Sequence, residues 1–437
     1  MPDPSIADLL AARPYLSMHA MDGLILEDVP LATIADALGT PTWVIGAGTI
    51  RARYRLLAEL PAQIRYAVKA NDHLAVLRVL AREGAGADVV SEGELLRARE
   101  AGIPPERIVF SGVGKTLREL ALALETGVAQ INVESAEELA MLSAIAAAGG
   151  HVAPVALRVN PDVDAGTHPK ITTGRAENKF GIAWAEAAAL YRHAAGLPGI
   201  RPVGLAVHIG SQILSIAAYR AAYARLAELV RALRAQGLPV GRVDCGGGLG
   251  IPYRDEIAAS PAALAGAIRA TLGGLDLELL VEPGRWLVGP AGVLLASVIL
   301  VKQSGDGRFV VLDAAMNDLL RPAMYDAWHG VVPLAAAAAV GPISPADIVG
   351  PVCETGDTFA RNRPLPALAP QTRVAILDAG AYGSVMSSTY NARPLAAQAM
   401  VDGSDWAVIR PRQPVTALWQ EEVVPAFLDE PLVEASR

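Results

Sequence analysis

Two cysteines in 437 residues, Cys245 and Cys353, are too few for a disulfide scaffold. A reducing cytoplasm is the natural setting for such a chain. Basic residues are scarce too. Lys and Arg number 37 against 45 Asp and Glu, a formal charge of −8 with no basic cluster, which argues against a nucleic-acid footprint. Long apolar runs are missing: the most apolar stretch, 290–301, is shorter than the ~20 residues that span a bilayer and reads as a buried strand. The N-terminal stretch carries Asp3 and Asp8 where a secretory signal carries basic residues, and it lacks an apolar segment. A soluble protein without nucleic-acid, membrane or metal partners is expected. What the chain does have is 52% hydrophobic residues and only 19% charged ones, ample material for a large core of helices alternating with buried strands.

The length exceeds one average domain and suits a barrel of about 250 residues plus a second domain. Residues 1–42 show weak patterning around a short strand at Gly23–Leu26 and are expected to pack on the C-terminal part. Beyond them, strand-like runs recur at Ile64–Lys69, Ala87–Val90, Ile108–Phe110, Gln130–Val133, Val155–Val159, Val203–His208, Val243–Cys245 and Leu277–Glu282. Helical periodicity separates most of them, over Leu74–Glu83, Glu92–Ala101, Leu117–Thr126, Ala136–Ala147, Trp184–His193, Tyr219–Gln236 and Pro261–Leu272. This alternation predicts an α/β fold, a TIM-type (β/α)8 barrel over 43–289. After Gly289 short β-rich segments follow between Gly, Pro, Asn and Asp turns. With 1–42, residues 290–437 are therefore expected to form a mostly antiparallel β domain.

In such a barrel the chemistry sits where strands end. Lys69, Ser91, Ser111, Glu134, Asn160, His208, Gly246–Gly248 and Glu282 fall at or just after the eight ends. Lys69 is either a solvated strand-exit lysine or an amine that forms an imine with a carbonyl cofactor such as pyridoxal phosphate. Gly246-Gly247-Gly248-Leu249-Gly250 follows the seventh strand, where bare backbone can approach a phosphate. Glu282-Pro283-Gly284-Arg285 follows the eighth, and a carboxylate there can face a pyridine nitrogen or simply pair with an arginine at the surface. His208-Ile209-Gly210-Ser211 adds an imidazole suited to stacking on a flat ring, and a hydroxyl.

From Pro41 to Pro394 the chain resembles the diaminopimelate decarboxylases, in the alanine-racemase-like fold that also holds ornithine and arginine decarboxylases. The resemblance is carried by Tyr66-Ala-Val-Lys-Ala-Asn71, Asp88-Val-Val-Ser-Glu-Gly-Glu-Leu95, Lys179-Phe-Gly-Ile182, His208-Ile-Gly-Ser-Gln212, Gly246–Gly250 and Glu282–Arg285. It continues through Asp313–Asp318, Arg321-Pro-Ala-Met-Tyr325, Gly350-Pro-Val-Cys-Glu354 and Asp378-Ala-Gly-Ala-Tyr382. Glu92 stands where the family usually has glycine, and Ala315 replaces another glycine; neither change removes a reactive group.

The resemblance implies decarboxylation of meso-2,6-diaminopimelate to L-lysine and CO2, the last step of lysine biosynthesis, with pyridoxal 5'-phosphate held on Lys69. His208, Ser211, Gly248, Glu282, Pro283, Gly284, Arg285 and Tyr382 would bind the cofactor. Arg285, Arg321, Tyr325, Glu354 and Tyr382 would bind the amino-acid substrate, and Cys353 would protonate the product carbanion. Cys353 and Glu354 would come from the partner subunit, so the resemblance implies a homodimer with shared active sites. The second carboxylate of diaminopimelate calls for a guanidinium fork, which makes Arg321 the most telling residue. Decarboxylation of another diamino acid such as ornithine and a non-catalytic pyridoxal-binding homologue remain as alternatives. A racemase of the same fold would need a second base, for which no motif is present.

Overall fold

The computed structural model describes residues 3–428 except 165, 167–178 and 306. Eight parallel strands form the first unit: β1 (Gln63–Ala67), β2 (Gly86–Val89), β3 (Ile108–Phe110), β4 (Gln130–Val133), β5 (Ala153–Asn160), β6 (Ile200–Ala206), β7 (Arg242–Asp244) and β8 (Glu278–Val281). Each pairs with the next, and β8 pairs with β1, so the sheet closes into a barrel. Side chains fill the interior and the connecting helices cover the outside, so both faces of the strands are buried and the runs read as nearly continuous apolar segments rather than alternating ones. The predicted strand set holds, but β1 and β6 stop two residues short of Lys69 and His208. Both residues therefore sit in the loops at the barrel mouth.

Helices start where the sequence supplies caps. Leu117–Thr126 opens on a capping box of Thr116 and Glu119 and closes on left-handed Gly127. Ile216–Ala235 begins three residues before the expected Tyr219, because the Ser215 hydroxyl accepts the Ala217 N–H and caps the helix there. Among the described residues no helix is long and apolar enough to cross a membrane.

The second unit is a mixed sheet built around the long strand Gly292–Ser304. Most of its ladders are antiparallel. Two are parallel: Gly307–Leu312 with Ile343–Val349, and Thr42–Gly46 with Ala397–Asp402. Thr42–Gly46 straddles the expected boundary at residue 43, yet the whole strand pairs in this sheet. Its Thr-Trp-Val-Ile-Gly sequence is buried on both faces, and an apolar run of that kind does not say which sheet it joins. The barrel's own chain starts with the helix Ala47–Leu57.

The N-terminal residues pack on this sheet, as expected. Leu24, Leu26, Leu31 and Ile34 share one core with Val44, Val293, Leu295 and Val332, and the Leu24 N–H donates to the Leu334 carbonyl at 2.7 Å. At the junction of the two units, Arg13 forms a buried ion pair with Asp378 and donates to the Tyr253 carbonyl at 2.8 Å. The two units are thereby registered beside the barrel mouth.

Candidate active site

Lys69 lies in a 3-10 turn, Val68–Ala70, directly after β1. Its Nζ donates to Asp88 Oδ2 at 2.9 Å, and the Asp88 side chain is fully buried on β2. The lysine side chain keeps 37% exposure because it opens into a cavity of about 360 Å³ lined by Lys69, Asp88, Ser111, Asn132, His208 and Glu282. Burial alone would depress the ammonium, but Asp88, Tyr382 and Glu282 outweigh it and the Lys69 pKa is raised. A larger recess of about 550 Å³ lies at the junction beside Arg13 and Asp378. There Arg13 pairs with Asp378 and Arg51 with Asp402, so the reactive chemistry belongs to the smaller cavity.

The floor of that cavity is acidic and buried. Glu282 follows β8 by one residue, and burial, reinforced by Asp244 and Asp88, pushes its carboxyl well above the usual range. Asp244 is its neighbour and is raised as well, chiefly by burial. The Asn132 amide reaches both carboxyls, at 3.3 Å from Asp244 Oδ2 and 3.4 Å from Glu282 Oε1, and donates to Ser111 Oγ at 3.0 Å. His208 Nδ1 accepts the Gly247 N–H at 3.2 Å. Burial, helped by Arg158 and Lys69, lowers the imidazole pKa well below its ordinary value, so the ring is neutral.

Backbone packing fixes the glycine turn. A Cβ on Gly246 would stand 2.1 Å from the Val207 carbonyl oxygen, one on Gly247 2.0 Å from that of Glu282, and one on Gly248 2.2 Å from that of Gly210. Gly246 and Gly248 also hold φ of +69° and +94°, values that side chains rarely adopt. Glu282–Arg285 packs against the Lys69 turn, with the Ala67 N–H donating to the Pro283 carbonyl at 3.1 Å. Gly284 faces Ala67 and Ala70 there, and a Cβ on it would stand only 3.0 Å from that of Ala70. The Tyr382 N–H donates to the Ala70 carbonyl at 2.8 Å.

A guanidinium pair stands beside this turn. Arg285 donates to Ser211 Oγ at 3.0 Å and to the Tyr253 hydroxyl at 2.6 Å, and it lies 4.9 Å from the Tyr382 ring centroid. Arg321 stacks on Tyr253 at 4.5 Å, and its Nη1 lies 2.7 Å from His329 Nε2. Burial draws Arg321 down to about 10, which leaves it charged at neutral pH. Tyr325 ends the same short helix, Arg321–Tyr325.

Neither Cys353 nor Glu354 lines the Lys69 cavity of the same chain. Both are exposed. The Cys353 N–H donates to Asn391 Oδ1 at 3.0 Å, and Glu354 accepts from the Tyr390 hydroxyl at 3.0 Å. Sequence reasoning left Asp88, Asn132, Asp244, Tyr253 and His329 without roles. Asp88 and Asp244 did carry a signal, as lone acids inside apolar strands. Tyr253 and His329 carried none, because their place depends on the docking of the two units.

The residues present fit pyridoxal phosphate. An amine faces the cavity, a raised carboxyl lies on its floor as a partner for a ring nitrogen, and a neutral imidazole offers a flat face. The side-chain-free Gly246–Gly248 turn offers backbone to a phosphate, and the buried Asp88 Oδ1 and Arg285 Nε have no protein partner among the described residues.

Residues 47–289 match the family model described as the pyridoxal-dependent decarboxylase, pyridoxal binding domain. The diaminopimelate decarboxylase of Zymomonas mobilis is 48% identical over 408 residues, covering 91% of this chain and 96% of that one. That of Pseudomonas aeruginosa is 49% identical over 407 residues, again 91% and 96%. Among solved structures, diaminopimelate decarboxylase from Helicobacter pylori complexed with L-lysine has a TM-score of 0.86 and 39% identity, covering 89% of this chain and 98% of that one. The chain therefore belongs to the pyridoxal-dependent decarboxylases and, within them, to the diaminopimelate decarboxylase family.

Proposed function

We propose that the protein is a cytoplasmic carboxy-lyase that converts meso-2,6-diaminopimelate to L-lysine and CO2 with pyridoxal phosphate as cofactor. The observation that carries this reading is the pair of buried guanidinium groups, Arg285 and Arg321, beside the Lys69 turn. When bound, the cofactor supplies the electron sink for the pair left behind as CO2 departs. Lys69 would hold it covalently, Glu282 would face its ring nitrogen, His208 would cover its ring, and Gly248 with Ser211 would hold its phosphate. Pro283 and Gly284 keep that stretch close to the lysine.

Diaminopimelate carries a carboxylate at its far end that lysine and ornithine lack. Arg321, with Arg285, Tyr325 and Tyr382, would bind it, since a guanidinium fork matches carboxylate geometry. A pocket for ornithine would need only an anion. The proton for Cα would come from Cys353 and the contact to the distal ammonium from Glu354, both of the partner subunit. Their exposure on the isolated chain supports a homodimer in which each subunit completes the other's site.

The test is CO2 release from meso-diaminopimelate beside L-lysine, L-ornithine and L-arginine. Diaminopimelate should be preferred strongly; preference for any of the other three would overturn the substrate assignment.

A further inference from the structure

The barrel interior below the cavity is polar where a barrel core is ordinarily apolar. Arg242, held by Glu278 at 2.7 Å, donates to Gln130 Oε1 at 3.2 Å. Gln130 Nε2 in turn donates to Asn132 Oδ1 at 2.7 Å. That bond fixes the orientation of the Asn132 amide, so its NH2 group must point upward, to Ser111, Asp244 and Glu282. Gln130 and Asn132 are alternate residues of β4, and Arg242 and Asp244 are alternate residues of β7, so all four face the barrel axis. A column of directed hydrogen bonds thus runs up the axis and ends on two carboxyl groups.

Asp244 is the branch point. It is fully buried, its Oδ2 takes the Asn132 amide that also reaches Glu282 Oε1, and its Oδ1 accepts the Gly246 N–H at 3.0 Å. One side chain therefore links the glycine turn to the acid on the cavity floor. Two carboxyl groups this close and this buried cannot both stay ionised unless a cation joins them. The charged and titratable groups facing the pair from neighbouring strands and loops include Lys69, Asp88, the buried Arg65 of β1 and the Cys245 thiol.

We propose that Asp244 is a positioning residue for Glu282, and that the joint negative charge of this pair, rather than Glu282 alone, keeps the ring nitrogen of the bound cofactor protonated. The inference rests on the pyridoxal-phosphate reading of the site. In the cofactor-free protein the pair shares a proton. A pyridine nitrogen placed against Glu282 can take that proton up, and the buried charge on Asp244 then opposes its loss. Asp244 touches neither cofactor nor substrate in this role; it acts through Glu282.

The experiment compares equilibrium binding of pyridoxal phosphate and of its 1-deaza analogue, which has no ring nitrogen, to the parent and to Asp244→Asn. An amide oxygen at this position can still accept the Gly246 N–H while the charge is removed; its NH2 group replaces the acceptor of the Asn132 amide, and the deaza analogue controls for that local change. The parent should prefer the natural cofactor, and the preference ratio should fall about tenfold in the variant, the equivalent of roughly one pKa unit at the ring nitrogen. Affinity for the deaza analogue should be nearly unchanged. If both ligands weaken equally, Asp244 merely supports the loop and the inference is overturned. Should the amide variant not fold, Asp244→Ser serves the same comparison. Failure of the parent to bind pyridoxal phosphate at all would overturn the underlying reading of the site, a result distinct from an unchanged ratio.

Discussion

Among the single side chains of the site, Lys69 is distinguished by standing against a buried carboxylate and still facing an open cavity. Borohydride reduction in the presence of pyridoxal phosphate should therefore fix the cofactor on Lys69, as read by peptide mapping. Lys115 is locked to Glu138 at 2.7 Å and buried, so a label there, or on any lysine but Lys69, would sink the assignment. Arg321→Ala should lower kcat/KM for meso-diaminopimelate by roughly 2–5 kcal/mol, the usual cost of truncating one partner of a desolvated charge pair. Cofactor affinity should change little, since Ser211 is held by Arg285 and not by Arg321. A loss within about threefold, some 0.7 kcal/mol, would place the distal carboxylate elsewhere. Side chains at strand ends were legible in the sequence because the barrel topology assigns them a place. Tyr253 was not, since its stacking with Arg321 arises only once the second unit is docked.

The glycine turn makes its own test at the level of elements. Gly247→Ala would drive a methyl group to 2.0 Å from the Glu282 carbonyl oxygen, so cofactor affinity and stability should both drop. Gly266, inside the helix Pro261–Leu272, has nothing within 4 Å of a Cβ, and Gly266→Ala should stabilise by about 0.5–1 kcal/mol. Thermal melts of the two variants should move in opposite directions. The loop after Gly307–Leu312 carries a pH dependence. Asp318 Oδ2 accepts the Ala315 N–H at 3.0 Å, and burial raises its carboxyl from 3.8 to about 6. A folded-state value above the unfolded one means that its contribution is full below about pH 4 and is lost as pH rises through about 6. Relative to the parent, Asp318→Asn should therefore gain stability over that window, by no more than about 3 kcal/mol, and hold that gain above it. Urea midpoints of both proteins across the window check the sign. Helix limits were legible wherever a cap was written, as at Thr116 and Gly127. The membership of Thr42–Gly46 was not, because strand pairing across hundreds of residues leaves no local mark.

For the whole molecule, the decisive fact is that one chain gathers the lysine and the arginines but leaves Cys353 and Glu354 exposed, held by Asn391 and Tyr390. A two-fold interface donates the same loop in both directions, so each pocket of a dimer would combine Lys69 of one subunit with Cys353 of the other. Lys69→Ala and Cys353→Ala should then each be nearly inactive as homodimers, the first for want of the amine and the second for want of the acid that protonates Cα. Mixed under conditions that allow subunit exchange, they should form heterodimers in which one pocket collects both substitutions and the other collects neither. The intact pocket should restore activity in proportion to the heterodimer fraction, up to about half of the heterodimer's sites. Activity is read against mixing ratio, with exchange followed separately by a mass tag on one variant. Recovery that tracks exchange supports the shared site. Exchange without recovery would mean that Cys353 serves its own chain's pocket or none, and the dimeric active site would have to be abandoned.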